Sequence, residues 1–369
     1  MVLKKLRLFQ YRNIPYAEIS FHEGINFLLG ENAQGKTNAL EAIYLFARGK
    51  SFRGALDSEI LMTGKDAFSA EITFEKRDRE ETLLYGFGKK ERVRKRNGIH
   101  LSSQAEMIGS FRAVLFSPDH LQMVKGSPSE RRSFLNIAAM GAYPMYVSLY
   151  ARYQKILEQR NALLKEIQKG ERDRGDDLSV WNEKIASAAA EIYLYRKEYI
   201  KRLEKAAGRI MNALSGGKET LSLVYQSDVS DFERTDEKGS ATEAYLRVFS
   251  SSCEKEAALG SSQFGVHRDE LLILVNGRVA RDYCSQGQQR SVVLSLKMAE
   301  GEIMREVCGE SPVYLFDDVL SELDEGRRGF LLSGISDSQF IVTGCEKSIL
   351  GEYGEGVHFI KVKNGEFSQ

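Results

Sequence analysis

Gly30-Glu31-Asn32-Ala33-Gln34-Gly35-Lys36-Thr37 fits the pattern G-x-x-x-x-G-K-[ST] and stands between an apolar run and a helical pattern. This constrains the fold more than any other stretch of the chain. The run Ile25-Asn26-Phe27-Leu28-Leu29 reads as a strand buried on both faces. Leu40, Ile43, Tyr44 and Ala47 then follow at helical spacing. Strand, glycine loop and helix in that order predict a phosphate-binding loop in an α/β fold. Gly30 and Gly35 let the backbone curl so that its N–H groups converge, and the helix N-terminus adds partial positive charge. Lys36 is expected to reach the β- and γ-phosphates and the Thr37 hydroxyl to ligate Mg²⁺, so ATP with Mg²⁺ is the expected ligand.

Such a loop needs a carboxylate at the end of a nearby strand. Val313-Tyr314-Leu315-Phe316-Asp317-Asp318 supplies one, with four apolar residues leading to two acids. Asp317 is expected to hold Mg²⁺. Asp318, one residue further, is expected to reach the water that attacks the γ-phosphate, which makes Asp318 and Lys36 the catalytic candidates. Lys36 and Asp317 lie near opposite ends of the chain, so something large is inserted between them. Ser285-Gln286-Gly287-Gln288-Gln289-Arg290 precedes a helical pattern and resembles the Ser-Gly-Gly-Gln signature of ABC-type ATPases. In that class a Ser hydroxyl and Gly N–H groups bind a γ-phosphate held by another subunit. Ser321-Glu322-Leu323-Asp324 resembles the D-loop of the same superfamily. Ser285, Gly287 and Gln288 are thus cofactor-binding candidates in a face-to-face homodimer.

The 369 residues carry 52 basic and 52 acidic side chains, so the net charge is zero and a histone-like protein is excluded. Local faces are not excluded. Lys89, Lys90, Arg92, Arg94, Lys95 and Arg96 surround a lone Glu91 just before Asn97-Gly98, a strong hairpin signal. A basic hairpin of this kind can follow a nucleic-acid backbone without reading bases. In the middle of the chain, positions 146, 149, 153, 156, 160, 163 and 167 step by 3 and 4, broken only by Arg160. Positions 178 to 199 repeat the step after a polar loop, which predicts a short antiparallel coiled-coil hairpin. Residues 118–262 are therefore read as an inserted, mostly helical lobe, and 1–117 with 263–369 as one discontinuous ATPase domain. The four cysteines are isolated in sequence, which predicts buried reduced thiols and no zinc site. No apolar run approaches the roughly 18 residues of a membrane helix, so a cytoplasmic protein without a membrane partner is expected.

The chain resembles the RecF family, whose members are ABC-type ATPases related to SMC and Rad50 heads. Four segments carry the likeness: residues 8–13, 118–136, 264–271 and 316–324. The last includes Asp318 where most ABC-type ATPases have Glu. Val266 stands where the family usually has Pro, and Glu270 where it usually has Asp, while His267, Arg268 and Asp269 are kept. Thr343 or Gly344 takes the place of the superfamily's switch His, which suggests modest hydrolysis. The resemblance implies an ABC-type head with a mixed sheet and helices, and Arg12 reaching a phosphate. It also implies a weak ATPase that dimerises with ATP on double-stranded DNA or its junctions with single strands. RecR, with RecO, is the implied protein partner, and loading of a recombinase the implied role. Another SMC- or Rad50-like repair ATPase is the alternative; a transporter's ATPase subunit is disfavoured by the coiled-coil segment.

Overall fold

The computed structural model describes the whole chain except residues 90, 174–175, 230–236, 334–337, 349, 351–355 and 369. It forms two compact units. The first comprises Met1–Leu121, Arg209–Lys218 and Gln286–Gln369, and the second Gln122–Gly208 and Glu219–Ser285. The insertion thus starts close to the expected position 118 but runs on to Ser285, beyond the expected 262. The reason is a strand pairing. Glu270–Val275 lies antiparallel to Leu221–Gln226, with Leu272 opposite Val224, so the segment after 262 completes the inserted unit's own three-stranded sheet.

The first unit has two sheets around one core. Alternating apolar residues of Val2–Tyr11, Ile14–Ser20, Ala67–Lys76 and Arg79–Gly88 bury Leu6, Leu8, Ile19, Ile72, Phe74 and Leu83 on one face of an antiparallel sheet. This sheet ends in the hairpin Glu91–Arg96 and Ile99–His100, where Asn97 and Gly98 both take positive φ (51° and 79°) as a primed turn requires. The second sheet is parallel at its centre. Ile25–Leu29 lies between Phe340–Gly344 and His358–Lys363, with Val313–Phe316 and then Ala113–Phe116 beyond Phe340–Gly344. The helix Lys36–Arg48 shares one core with both sheets, and its Leu40, Ile43 and Leu45 are wholly buried. A helix buried nearly all round is held rigidly, and its N-terminus is the phosphate loop.

The second unit contains the predicted helical hairpin, Pro144–Gln168 and the helix Asp176–Leu214 as far as Gly208. Tyr146, Leu149, Tyr153 and Leu157 pack on Ile185, Ala189 and Ile192. A third helix, Lys238–Leu259, joins them through Tyr245 and Phe249 and continues alongside Leu163, Leu164 and Leu178 through Ala257. That contact explains the one polar break in the heptad step. Arg160 donates from Nη2 to Glu256 on the third helix at 2.6 Å, from Nε to Asn182 at 2.9 Å and from Nη1 to Ser262 at 2.6 Å. Arg160 and Glu256 are both 0% exposed. The cysteines are free thiols, as expected, but none is buried: Cys253, Cys284 and Cys308 are half-buried and Cys345 is exposed.

A buried charge whose partner is deleted cannot recover its hydration. Arg160→Ala should therefore cost about 3–5 kcal/mol, seen as a lower midpoint in urea, whereas Arg172→Ala, which removes an exposed pair, should leave the midpoint unchanged. His267 offers a second check. Burial, aided by Arg268 and Arg132, pushes its imidazole down to about 4. Its neutral form then contributes stability that is complete above the unfolded value near 6.5 and is lost as pH falls towards 4. The loss should reach about 3 kcal/mol and vanish in His267→Gln, measured as unfolding midpoint against pH.

Candidate nucleotide site

Gly30 closes the strand Ile25–Leu29, and there is no room for a side chain on it: a Cβ would lie 2.2 Å from the Val362 carbonyl oxygen. Gly35 caps the helix Lys36–Arg48 at φ 115°, a conformation that favours glycine. Ala33 also takes positive φ, 65°. Lys36 folds back over the loop, donating from Nζ to the Gly30 carbonyl and to the Glu31 carbonyl at 2.8 Å. Asn32 accepts from Cys345 Sγ at 3.3 Å, and that sulfur stands 3.6 Å from Lys36 Nζ. Gln34 is pinned by the C-terminal turn: Asn364 N donates to its Oε1 at 2.5 Å and Gly365 N to its carbonyl at 2.9 Å. This brace lies more than 300 positions away in sequence, in the turn Asn364-Gly365.

Thr37 donates from Oγ1 to Asp317 Oδ1 at 2.7 Å. The strand Ile25–Leu29 that leads into the loop and the strand that ends at Asp317 are not adjacent, because Phe340–Gly344 runs between them. Thr343 on that middle strand bridges the gap. Its Oγ1 donates to the same Asp317 oxygen at 3.2 Å and accepts from Asp318 N at 2.9 Å. The expected carboxylate strand is thus nearby, with one strand between it and the loop's own. Thr343, one of the two residues expected at the superfamily's switch position, holds the Asp317 carboxylate and the Asp318 main chain. Burial pushes the Asp317 carboxyl up, while the two threonine hydrogen bonds and Arg53 oppose that shift. Thr37 and Asp317 offer hard oxygen donors to one point, which fits Mg²⁺ completed by phosphate and water. Asp318 is held at φ 55°, with Ser321 Oγ donating to its carbonyl at 2.7 Å.

Arg12 is elsewhere engaged. Its guanidinium donates to both oxygens of buried Glu41 at 2.9 and 2.7 Å and to the Glu59 carbonyl at 2.8 Å. It clamps the phosphate-loop helix and does not point free toward a phosphate. The exposed cation of this neighbourhood is Arg53, which sequence reasoning missed. Arg53 donates to Asn38, the residue after Thr37, at 3.0 Å; Asn38 donates to Asn13 at 2.8 Å, and Asn13 to the Ala33 carbonyl at 3.3 Å. No motif marked Arg53, because its position depends on how the chain returns after the helix.

Ser285 is exposed immediately before the helix Gln286–Cys308, which opens with Gly287 and Gln288. That helix is tied to the segment after Asp318. Arg290 donates to the Glu322 carbonyl at 2.9 Å, and Arg327, paired with Asp324, donates to Ser291 at 2.8 Å. A Cβ on Gly287 would lie 3.6 Å from Arg327, so the signature glycine faces that guanidinium.

The basic hairpin is less free than its composition suggests. Arg92 pairs with Asp57 at 2.5 Å, Arg96 with Glu81 at 2.8 Å, and Arg94 lies over the Tyr85 ring at 5.6 Å. Lys89 is exposed and Lys95 half-buried, and Lys90 lies outside the described residues. Two of the six charges counted in the sequence are therefore neutralised within the fold.

The family model for the RecF/RecN/SMC N-terminal domain matches residues 2–368. The DNA replication and repair protein RecF of Halalkalibacterium halodurans is 39% identical over 338 residues, covering 91% of this chain and 90% of its own. That of Exiguobacterium sp. is 39% identical over 371 residues, covering 99% and 98%. A solved structure of the recombination mediator protein RecF with ATP in the RecFOR pathway superposes with a TM-score of 0.91 at 33% identity, covering 100% of this chain and 97% of that one. An Smc head at 15% identity and a TM-score of 0.58 shares the fold. With a family model and relatives that span nearly its full length, the chain belongs to the RecF family of the RecF/RecN/SMC N-terminal domain proteins.

Proposed function

We propose that this protein is an ATP-operated DNA-binding switch in replication and recombinational repair. The observation that carries the reading is the hydrogen bond from Thr37, which follows Lys36 at a helix N-terminus, to Asp317 from the other end of the chain. ATP binds with its phosphates along the backbone N–H groups of residues 30–37. Lys36 then exchanges its two carbonyl acceptors for β- and γ-phosphate oxygens. Mg²⁺, held by Thr37 and Asp317, supplies charge neutralisation at those oxygens. Asp318 orients the attacking water, and Thr343 fixes Asp318 through its main-chain N–H. Arg53 adds positive charge on the outer side of the loop.

Two protomers are proposed to sandwich two ATP molecules. The exposed Ser285 of each, with the N–H groups of Gly287 and Gln288, completes the partner's site. The bonds from Arg290 to the Glu322 carbonyl and from Arg327 to Ser291 tie the signature helix to the segment after the hydrolysing carboxylate, so γ-phosphate contact and hydrolysis are linked mechanically. Hydrolysis removes the shared γ-phosphate and releases the dimer. Catalysis in such a site is positioning and electrostatics, and with Thr at the switch position turnover is slow. Double-stranded DNA, including junctions with single strands, is the proposed ligand of the dimer. A relative of this chain is described within the RecFOR pathway, which supports RecR, with RecO, as protein partners and a cytoplasmic setting.

Lys36→Arg and Ser285→Arg should each abolish ATP-dependent dimerisation in light scattering while leaving the monomer folded. A dimer that persists with ATP in either variant contradicts the sandwich. Asp318→Asn should retain ATP binding and dimerisation but lower phosphate release about a hundredfold, the contribution expected of a positioned base.

A further inference from the structure

Two of the four segments that carry the family likeness, 118–136 from Gln122 onward and 264–271, have no part in the nucleotide site. Both lie in the second unit, and they meet there. On the helix Pro128–Ala142, Arg131 donates to both oxygens of Glu270 at 2.8 and 2.6 Å. Arg196 donates to Asp269 Oδ2 at 2.8 Å and is itself 1% exposed. These two buried arginines use the two carboxylates of the second motif. Asp228 accepts from Gly265 N at 2.6 Å and is pushed toward its neutral form by burial, and Glu256 accepts from Gln263 N at 2.7 Å while pairing with Arg160.

Arg132 and Arg268 form an outer layer over these pairs. Arg132 Nη1 donates to the Asp269 carbonyl at 3.0 Å, and Arg268 Nη2 to the Ser262 carbonyl at 3.4 Å. Neither makes an ion pair among the described residues. Each stands close enough to press on the other's charge and on His267, which stays uncharged at neutral pH. Arg132 is half-buried and anchored through a main-chain carbonyl, so its orientation is fixed; Arg268 is exposed. The arrangement differs from the 91–100 hairpin, where Asp57 and Glu81 already neutralise Arg92 and Arg96. A fixed guanidinium beside an exposed one, each hydrogen-bonded to a carbonyl and neither in an ion pair among the described residues, is suited to a phosphate group, which supplies negative charge.

We propose that Arg132 and Arg268 form a phosphate-binding pair that grips the nucleic-acid backbone from the inserted unit. The inference rests on the DNA-binding reading above and adds a site to it. Contacts of this kind carry charge but no base reading, so they set affinity and its salt dependence and leave sequence preference unchanged.

The test uses full-length protein with ATP and a fluorescein-labelled duplex, titrated between about 50 and 200 mM salt. Arg268→Glu and Arg132→Gln should each weaken binding about tenfold and reduce the slope of log affinity against log salt by about one. Arg92→Gln, at a paired hairpin position, should change either far less. ATP binding and the unfolding midpoint of each variant control for misfolding; Arg268, exposed and off the core, keeps the test valid if Arg132→Gln is unstable. Wild-type affinity and slope in Arg268→Glu would overturn the pair. So would an unchanged duplex affinity accompanied by loss of competition from inorganic phosphate, which would assign the pair to a free anion. If the wild type itself fails to bind duplex, the DNA reading fails and not this pair alone.

Discussion

The hydrogen bond from the Thr37 hydroxyl to Asp317 closes the nucleotide site, and most of the first unit exists to make it possible. Thr37 stands at the start of a helix buried between two sheets, and Asp317 at the end of a strand two places away. The intervening strand could have kept them apart. Thr343 on that strand donates to the Asp317 carboxylate and accepts from the Asp318 main chain, so three segments of the chain share one carboxylate oxygen and its neighbours. Burial pushes this carboxylate up and the two threonine hydroxyls oppose that shift, so its charge is held by few partners and is open to a bound cation. The brace of Gln34 by the last turn of the chain works toward the same end, since a phosphate loop held at both flanks loses little freedom when it binds.

The second unit is organised by a different device. Its three helices and small sheet are held in register by buried arginines, Arg160 with Glu256 and Arg196 with Asp269. Buried ion pairs add little net stability over a well-packed apolar core, but each is severe on alternatives, because any misregistered packing would strand a charge. That specificity matters where helices with a repeating 3/4 step could slide along one another. The same motif that supplies Asp269 also presents Arg268 at the surface, so one short turn both locks the lobe and charges its face.

The phosphate loop, the carboxylate strand, the signature segment and the helical hairpin were legible in the sequence because each depends on local pattern: glycine spacing, a short apolar run, a heptad step. Contacts made at long range were not. The third helix along the hairpin announced itself only as the anomaly at Arg160. The insertion's far limit was misjudged because a strand's partner cannot be read from its own residues. Arg12 is clamped on Glu41, and Arg53, which no motif marked, is exposed beside Asn38, since sequence fixes the charge of an arginine but not the acid that claims it. The basic hairpin overstated its free charge for the same reason.

The central claim is that nucleotide controls the grip on DNA. It is tested most directly by the affinity for a labelled duplex, measured at one fixed salt concentration with ATP, with ADP and without nucleotide, in the wild type and in Asp318→Asn. The account predicts tight binding with ATP, weak binding with ADP or none, and in Asp318→Asn a complex that persists long after the wild-type complex has dissociated. Equal affinity in all three nucleotide conditions would contradict it.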